Sequence, residues 1–255
     1  MGNAVNGILF QPPEPSYLPD PNLIWLNTRS NERIACFFLN RGAPLTILFS
    51  HGNAEDLGMI LHYFQDTVPD LPCNIFAYDY AGYGHSSGTP SEAEVYSDIE
   101  TCFLYLRDVL GIPWEQIVLF GRSLGSAAST HLASLTPVRG IILQCPMLSL
   151  FRIAFNSNFS LPGDQLTTVD RLEKIEAPTL VIHGTDDEIV PFWHGVEIHK
   201  GCRNKSIEPY WVDGGEHNNL EIVDNPEFIR RIVNFLRHLE SDPIDEVLRN
   251  QPIKI

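Results

Sequence analysis

Glu115-Gln116-Ile117-Val118-Leu119-Phe120-Gly121-Arg122-Ser123-Leu124-Gly125-Ser126-Ala127-Ala128 is the stretch of this chain whose reading decides the fold. Ile117 to Phe120 is a short apolar run that reads as a buried strand. Gly-x-Ser-x-Gly follows at once, and then small residues that tolerate a helix. A serine at a strand-to-helix turn is forced into an awkward backbone conformation. Glycines two before and two after it remove the side chains that would collide there. Its hydroxyl is then held clear of the sheet at the positive end of a helix. A strand-helix turn can also contain a serine by accident, so its neighbours in the fold have to decide its meaning.

On both sides of this segment short apolar runs alternate with helical stretches. Residues 45–50, 74–79, 141–145, 179–183 and 208–212 join 117–121 as predicted strands. Two further β-like runs, 23–27 and 34–39, are separated by Arg29-Ser30-Asn31-Glu32, which suits a hairpin turn. The clearest helix covers 90–110. Thr89-Pro90-Ser91-Glu92 reads as its capping box, and Val95, Ile99, Cys102, Phe103, Leu106 and Leu110 keep one face apolar. Strands alternating with helices imply an α/β fold, a mostly parallel eight-stranded sheet with helices on both faces. Residues 1–20 are proline-rich and are expected to run extended over the body, residues 21–240 form one domain, and 241–255 read as a loosely attached tail.

Composition narrows the function. The 255 residues are 44% hydrophobic, enough for a large core, and no apolar run approaches the roughly 20 residues that span a bilayer. A net charge of −15 argues against nucleic acid, which is bound through basic patches. The same charge is repelled by an anionic leaflet, so membrane contact is expected to be peripheral and to need a local apolar or acylated handle. Gly2 raises the question of myristoylation, although Asn6 stands where that motif takes Ser or Thr. The five cysteines are scattered, without the close pairing of a zinc site. Free buried thiols and a cytoplasmic location are the expectation.

Chemistry gathers at the predicted strand ends, where open α/β sheets place their sites. Ser123 follows one strand, Asp187 follows the strand before it in His183-Gly184-Thr185-Asp186-Asp187, and His217 follows the strand at 208–212. Serine at neutral pH is a weak nucleophile and needs a base such as His217 to take its proton. A carboxylate is needed in turn to orient the imidazole. The spacing favours Asp187 over its neighbour Asp186. The backbone amides of Asn53 and Leu124 are the expected donors to a developing oxyanion. His51 and His183 read as structural residues, and Asp79 as a residue that ties down its turn. Residues 145–166 read as a short lid whose Met147, Leu148, Phe151 and Phe155 would contact a long acyl chain. The alternative is that these side chains simply pack against the core.

These motifs resemble the α/β-hydrolases of the serine-hydrolase superfamily over residues 11–239. Within them the chain is similar to the cytosolic α/β-hydrolase-domain depalmitoylases, which remove palmitate from protein cysteines. Pro12-Pro13-Glu14-Pro15-Ser16-Tyr17, His51-Gly52-Asn53-Ala54-Glu55-Asp56-Leu57-Gly58 and Tyr78-Asp79-Tyr80-Ala81-Gly82-Tyr83-Gly84 carry the resemblance. It implies Ser123 as nucleophile, Asp187 as acid and His217 as base. It also implies a monomer acting on an acylated protein or a lipid ester, with no cofactor and no metal. Members of that family carry a palmitoylated N-terminal cysteine cluster, and Met1 to Gln11 holds no cysteine. Carboxylesterase or monoacylglycerol-lipase activity is the alternative within enzymes. A silent hydrolase fold used as a binding module is the alternative outside them.

Overall fold

The computed structural model describes residues 9–204 and 206–255. Gly2 and Asn6, and the acylation question they raise, lie outside the described residues. Strands β1 (Ile24–Asn27) and β2 (Arg33–Leu39) form the expected antiparallel hairpin. Its turn is closed by the Thr28 amide on the Glu32 carbonyl, with Asn31 in the left-handed region at φ 64°. Six strands follow: β3 (Thr46–Ser50), β4 (Asn74–Tyr78), β5 (Ile117–Arg122), β6 (Gly140–Gln144), β7 (Thr179–Gly184) and β8 (Tyr210–Val212). β2 also pairs antiparallel with β4, and every later pairing is parallel, giving the eight-stranded order β1-β2-β4-β3-β5-β6-β7-β8.

Side chains alternate across a strand, so each buried strand feeds two cores. Leu48 and Leu119 face one of them, with α2 (Glu92–Leu104) and α3 (Leu124–Leu135) packed above. Ile47, Phe49, Val118 and Phe120 face the other, against α1 (Leu57–His62) and α7 (Asn225–Ser241). Phe228, Ile232, Phe235, Leu236 and Leu239 form the buried stripe of α7, each contributing roughly 1.5–3 kcal/mol by leaving water. Four shorter α-helices lie between and beyond these: α4 (Leu150–Phe155), α5 (Trp193–Gly201) and α6 (Leu220–Val223) precede α7, and α8 (Glu246–Arg249) follows it. Among the described residues no helix is long and apolar enough to cross a membrane.

Two local expectations are corrected. The cap of α2 is Ser91, whose hydroxyl accepts the Glu94 amide at 3.2 Å, so the capping sequence begins two residues later than Thr89. Glu92 is used elsewhere: its carboxylate accepts the Leu166 amide at 2.7 Å and the Tyr96 hydroxyl at 2.8 Å. The tail is also docked. Leu248 is buried, the Gln251 amide group donates to the Ala133 carbonyl, and the Lys254 amide donates to the Leu135 carbonyl. At the other end, Ser16 and Tyr17 hold the extended N-terminal segment on the body through Asp56 and Asp79.

Candidate active site

Ser123 occupies the turn between β5 and α3 at φ 50° and ψ −113°, a backbone region that costs a non-glycine residue roughly 1–3 kcal/mol. A Cβ at Gly125 would run into the Ser50 carbonyl, and one at Gly121 would run into the Gly125 carbonyl. The glycines therefore let β5, β3 and α3 meet at van der Waals distance. The strained serine is fixed by its own amide, which donates to the Gln144 carbonyl at 2.9 Å. Leu124 is the first residue of α3, so its amide has no acceptor within the helix.

His217 Nε2 lies 3.0 Å from Ser123 Oγ, and His217 Nδ1 lies 2.7 Å from Asp187 Oδ2. With Nδ1–H donating to the carboxylate, the imidazole presents a bare Nε2 to the serine hydroxyl. Asp187 is the residue that reaches His217, while Asp186 is exposed and accepts from the Thr185 hydroxyl. Burial pushes the Asp187 carboxyl up. Hydrogen bonds from His183 and His217, the His217 charge and the Val190 amide overcome that and hold it well below the usual carboxylate range. His183 is thus a second histidine on the acid: its Nε2 is 3.2 Å from Asp187 Oδ2 and 2.8 Å from the Val190 carbonyl.

The loop after β3 carries the other expected donor. The Asn53 side chain is pinned on three sides. Its Oδ1 accepts the Tyr83 hydroxyl at 2.6 Å and the Gln11 amide at 3.1 Å, and its Nδ2 donates to the Leu9 carbonyl at 2.8 Å. Tyr80 donates to the neighbouring His51 carbonyl at 2.8 Å. His51 is buried, with Nε2 3.3 Å from Asp79 Oδ1, while Asp79 also accepts the Leu57 amide and the Tyr17 hydroxyl. His51 and Asp79 therefore brace the loop at the end of β3.

A buried ion cluster was not foreseen from the sequence. Arg122, directly before the serine, places Nη1 2.5 Å from Glu55 Oε1 and Nη2 3.3 Å from Glu221 Oε1, with its guanidinium 4.3 Å over the Tyr63 ring. Glu55 Oε2 also accepts the Gly52 amide at 2.6 Å. Burial alone would raise Glu55, but the Arg122 charge and the Gly52 amide draw it below its ordinary value. The signal was present, because a charge inside the run Val118–Ser123 must be paired when that run is buried.

Two hollows meet at Ser123. One, of about 520 Å³, gathers the charged and polar side chains of Glu55, Arg122, Gln144, His217, Asn218 and Glu221, with Met59 and Ile189 supplying apolar wall. The second, of about 170 Å³, is apolar and lined by Phe10, Leu124, Met147, Leu150, Ile153 and Leu166 among others. Of the four side chains expected to contact an acyl chain, Met147 lines this cavity and Leu148 is buried in the core. Phe151 and Phe155 line a separate open basin with Phe159 and Trp193, and Phe155 is 68% exposed. Helical spacing explains the exchange: Leu150 and Ile153 share the inward face of α4, and Phe151 and Phe155 share the next one. Among the described residues, Cys145, Asp187 and His217 are the one group of three whose potential metal-ligand atoms all lie within 4.8 Å of one another. Burial pushes the Cys145 thiol far up, and the other two are bonded to each other, so this is a poor metal site.

Comparison with known proteins fits this geometry. Residues 46–169 match the family model described as alpha/beta hydrolase fold. Alpha/beta hydrolase domain-containing protein aho-3 of Caenorhabditis elegans is 36% identical over 92% of this chain and 78% of its own length. Human alpha/beta hydrolase domain-containing protein 17C is 39% identical over 83% of this chain, which spans 64% of that protein. Among solved structures, the Pyrococcus furiosus esterase Pf2001 superposes with a TM-score of 0.74 over 89% of this chain and 98% of its own, at 17% identity, a likeness of fold. On the extent and identity of the nematode match, the chain belongs to the alpha/beta hydrolase domain-containing proteins.

Proposed function

We propose that the protein is a serine acyl hydrolase that releases the fatty acyl group from S-acylated protein cysteines. The observation that carries the reading is the position of Ser123, hydrogen-bonded to His217 where an apolar cavity and a polar chamber meet. The apolar side suits an acyl chain and the polar side suits a peptide leaving group.

In the proposed reaction His217 Nε2 takes the Ser123 proton as Oγ attacks the thioester carbonyl. The Asn53 and Leu124 amides donate to the oxyanion. Asp187 stabilises the imidazolium. Collapse of the tetrahedral intermediate breaks the C–S bond, and the thiolate leaves with the proton held by His217. Water then gives a proton to His217 and attacks the acyl-enzyme, releasing fatty acid and restoring the serine. No step calls for a metal or an organic cofactor. A second reading, an esterase for short acyl groups, is favoured by the modest 170 Å³ of the apolar cavity.

A fluorophosphonate probe should label the wild-type protein and leave Ser123→Ala unlabelled. An unlabelled wild type would end the enzyme reading. Turnover of a palmitoyl-thioester peptide, a long-chain monoglyceride and a short-chain ester then separates the substrate classes. Preference for the short ester would defeat the depalmitoylase assignment and favour the second reading.

A further inference from the structure

Leu9 and Phe10 come from the segment ahead of the first strand, yet both line the apolar cavity beside Ser123. The strap they belong to is held at two points by one residue. Asn53 Nδ2 donates to the Leu9 carbonyl, and the Gln11 amide donates to Asn53 Oδ1. Phe10 lies between those two bonds, is only 3% exposed, and packs with the core that contains Val95, Leu124 and Met147. The strap is therefore clamped in place, with its aromatic side chain turned inward.

The size of the cavity gives this wall a consequence. A dry aliphatic cavity of roughly 150 Å³ accepts a six-carbon ring. At about 170 Å³, the cavity beside Ser123 has room for an acyl chain of roughly that many carbons. The phenyl ring of Phe10 itself holds six carbons, about as many as the free space does. Replacing Phe10 by Ala would thus roughly double the space open to an acyl chain.

We propose that Phe10 is the specificity-determining residue that sets acyl-chain length, acting as the wall against which the chain ends. Chains longer than about six carbons, a palmitoyl chain included, bind with the Leu9–Gln11 strap moved off Asn53. This rests on the serine acyl hydrolase reading of Ser123, and it holds for an ester as for a thioester.

The test is a chain-length series of p-nitrophenyl esters, acetyl to palmitoyl, on wild type, Phe10→Ala and Phe10→Trp, with folding checked by thermal melting. In Phe10→Ala the dodecanoyl-to-hexanoyl ratio of kcat/KM should rise about tenfold, as expected when methylenes gain a pocket. In Phe10→Trp the hexanoyl-to-acetyl ratio should fall. Opposite movements mark a wall, because simple loss of packing would depress every chain length together. Unmoved profiles in both folded variants would overturn the proposal and leave Ser123 chemistry intact. A wild type that neither cleaves any ester nor accepts a fluorophosphonate would remove the underlying reading and this one with it.

Discussion

The two hollows that meet at Ser123 are built on opposite principles. The polar chamber is rigid by charge: Arg122 is locked between Glu55 and Glu221, and Glu55 also holds the Gly52 amide. The apolar cavity is walled by pieces laid over the sheet, the short helix α4 and the Leu9–Gln11 strap, through Leu150, Ile153, Leu9 and Phe10. Charge fixes one side because a buried ion that loses its partner is strongly destabilising. Packing shapes the other, where a changed side chain changes volume and leaves the hydrogen bonds in place. Mutations should therefore act differently on the two sides: in the chamber they should threaten the fold, and in the cavity they should retune selectivity.

The largest effect belongs to neither side. Asp187→Asn keeps the shape but lets the imidazole adopt the wrong tautomer, and kcat should fall about 10⁴-fold. The loss should be equal for esters of every acyl length. A loss graded by chain length would mean that Asp187 also shapes the cavity, and the comparison would fail. Next comes Arg122→Met, which leaves the buried Glu221 and the largely buried Glu55 without a counter-charge and should cost up to about 3–5 kcal/mol in urea unfolding. The paired Glu55 has a depressed pKa, so in wild type it contributes stability above its unfolded value that is lost as pH falls through the folded one. Without Arg122 burial dominates and the folded pKa rises, so the variant's deficit should shrink as pH drops toward 4.5. A deficit that stays constant with pH would show that the cluster stabilises by packing alone.

On the apolar side, Ile153→Ala and Phe155→Ala form a matched pair on one helix. Ile153 faces the cavity and Phe155 the outer basin. Ile153→Ala should raise the ratio of long-chain to short-chain kcat/KM about tenfold, whereas Phe155→Ala should leave it within about twofold. The reverse result would restore Phe155 as an acyl contact and remove α4 as an inner wall.

How much of this could be read from the chain alone follows from the range of each interaction. The eight strands, their mostly parallel order and the strand-end placing of Ser123, Asp187 and His217 come from local patterns of apolar runs and glycines, and were legible. The split within α4 was not, because in a six-residue helix only Arg152 marks a polar side, and fewer than two turns give periodicity too little to choose between the Leu150–Ile153 and Phe151–Phe155 faces. Glu55, Glu221 and Arg122 are far apart in sequence, so their meeting was invisible although the need to pair Arg122 was not. Phe10 lay hidden for a different reason. A proline-rich extended segment announces that it runs over the surface, but not which groove it covers.

The Tyr80-Ala81-Gly82-Tyr83 turn ties the two sides together and gives the smallest expected effect. Tyr80 holds the His51 carbonyl and Tyr83 holds Asn53 Oδ1, so one turn after β4 positions the loop after β3. Tyr83→Phe removes only the hydroxyl. Asn53 Oδ1 retains the Gln11 amide, so no buried acceptor is stranded, and the loss should be near the net worth of one hydrogen bond, about 1 kcal/mol. If Asn53 supplies the oxyanion amide, that loss should appear in kcat, about fivefold, with KM little changed. It should also be the same for acetyl and hexanoyl esters, because the ring that packs against His51 remains. A change confined to KM, or one that grows with chain length, would assign Tyr83 to the strap and the acyl wall, and the two sides would then share a support that moves with the substrate.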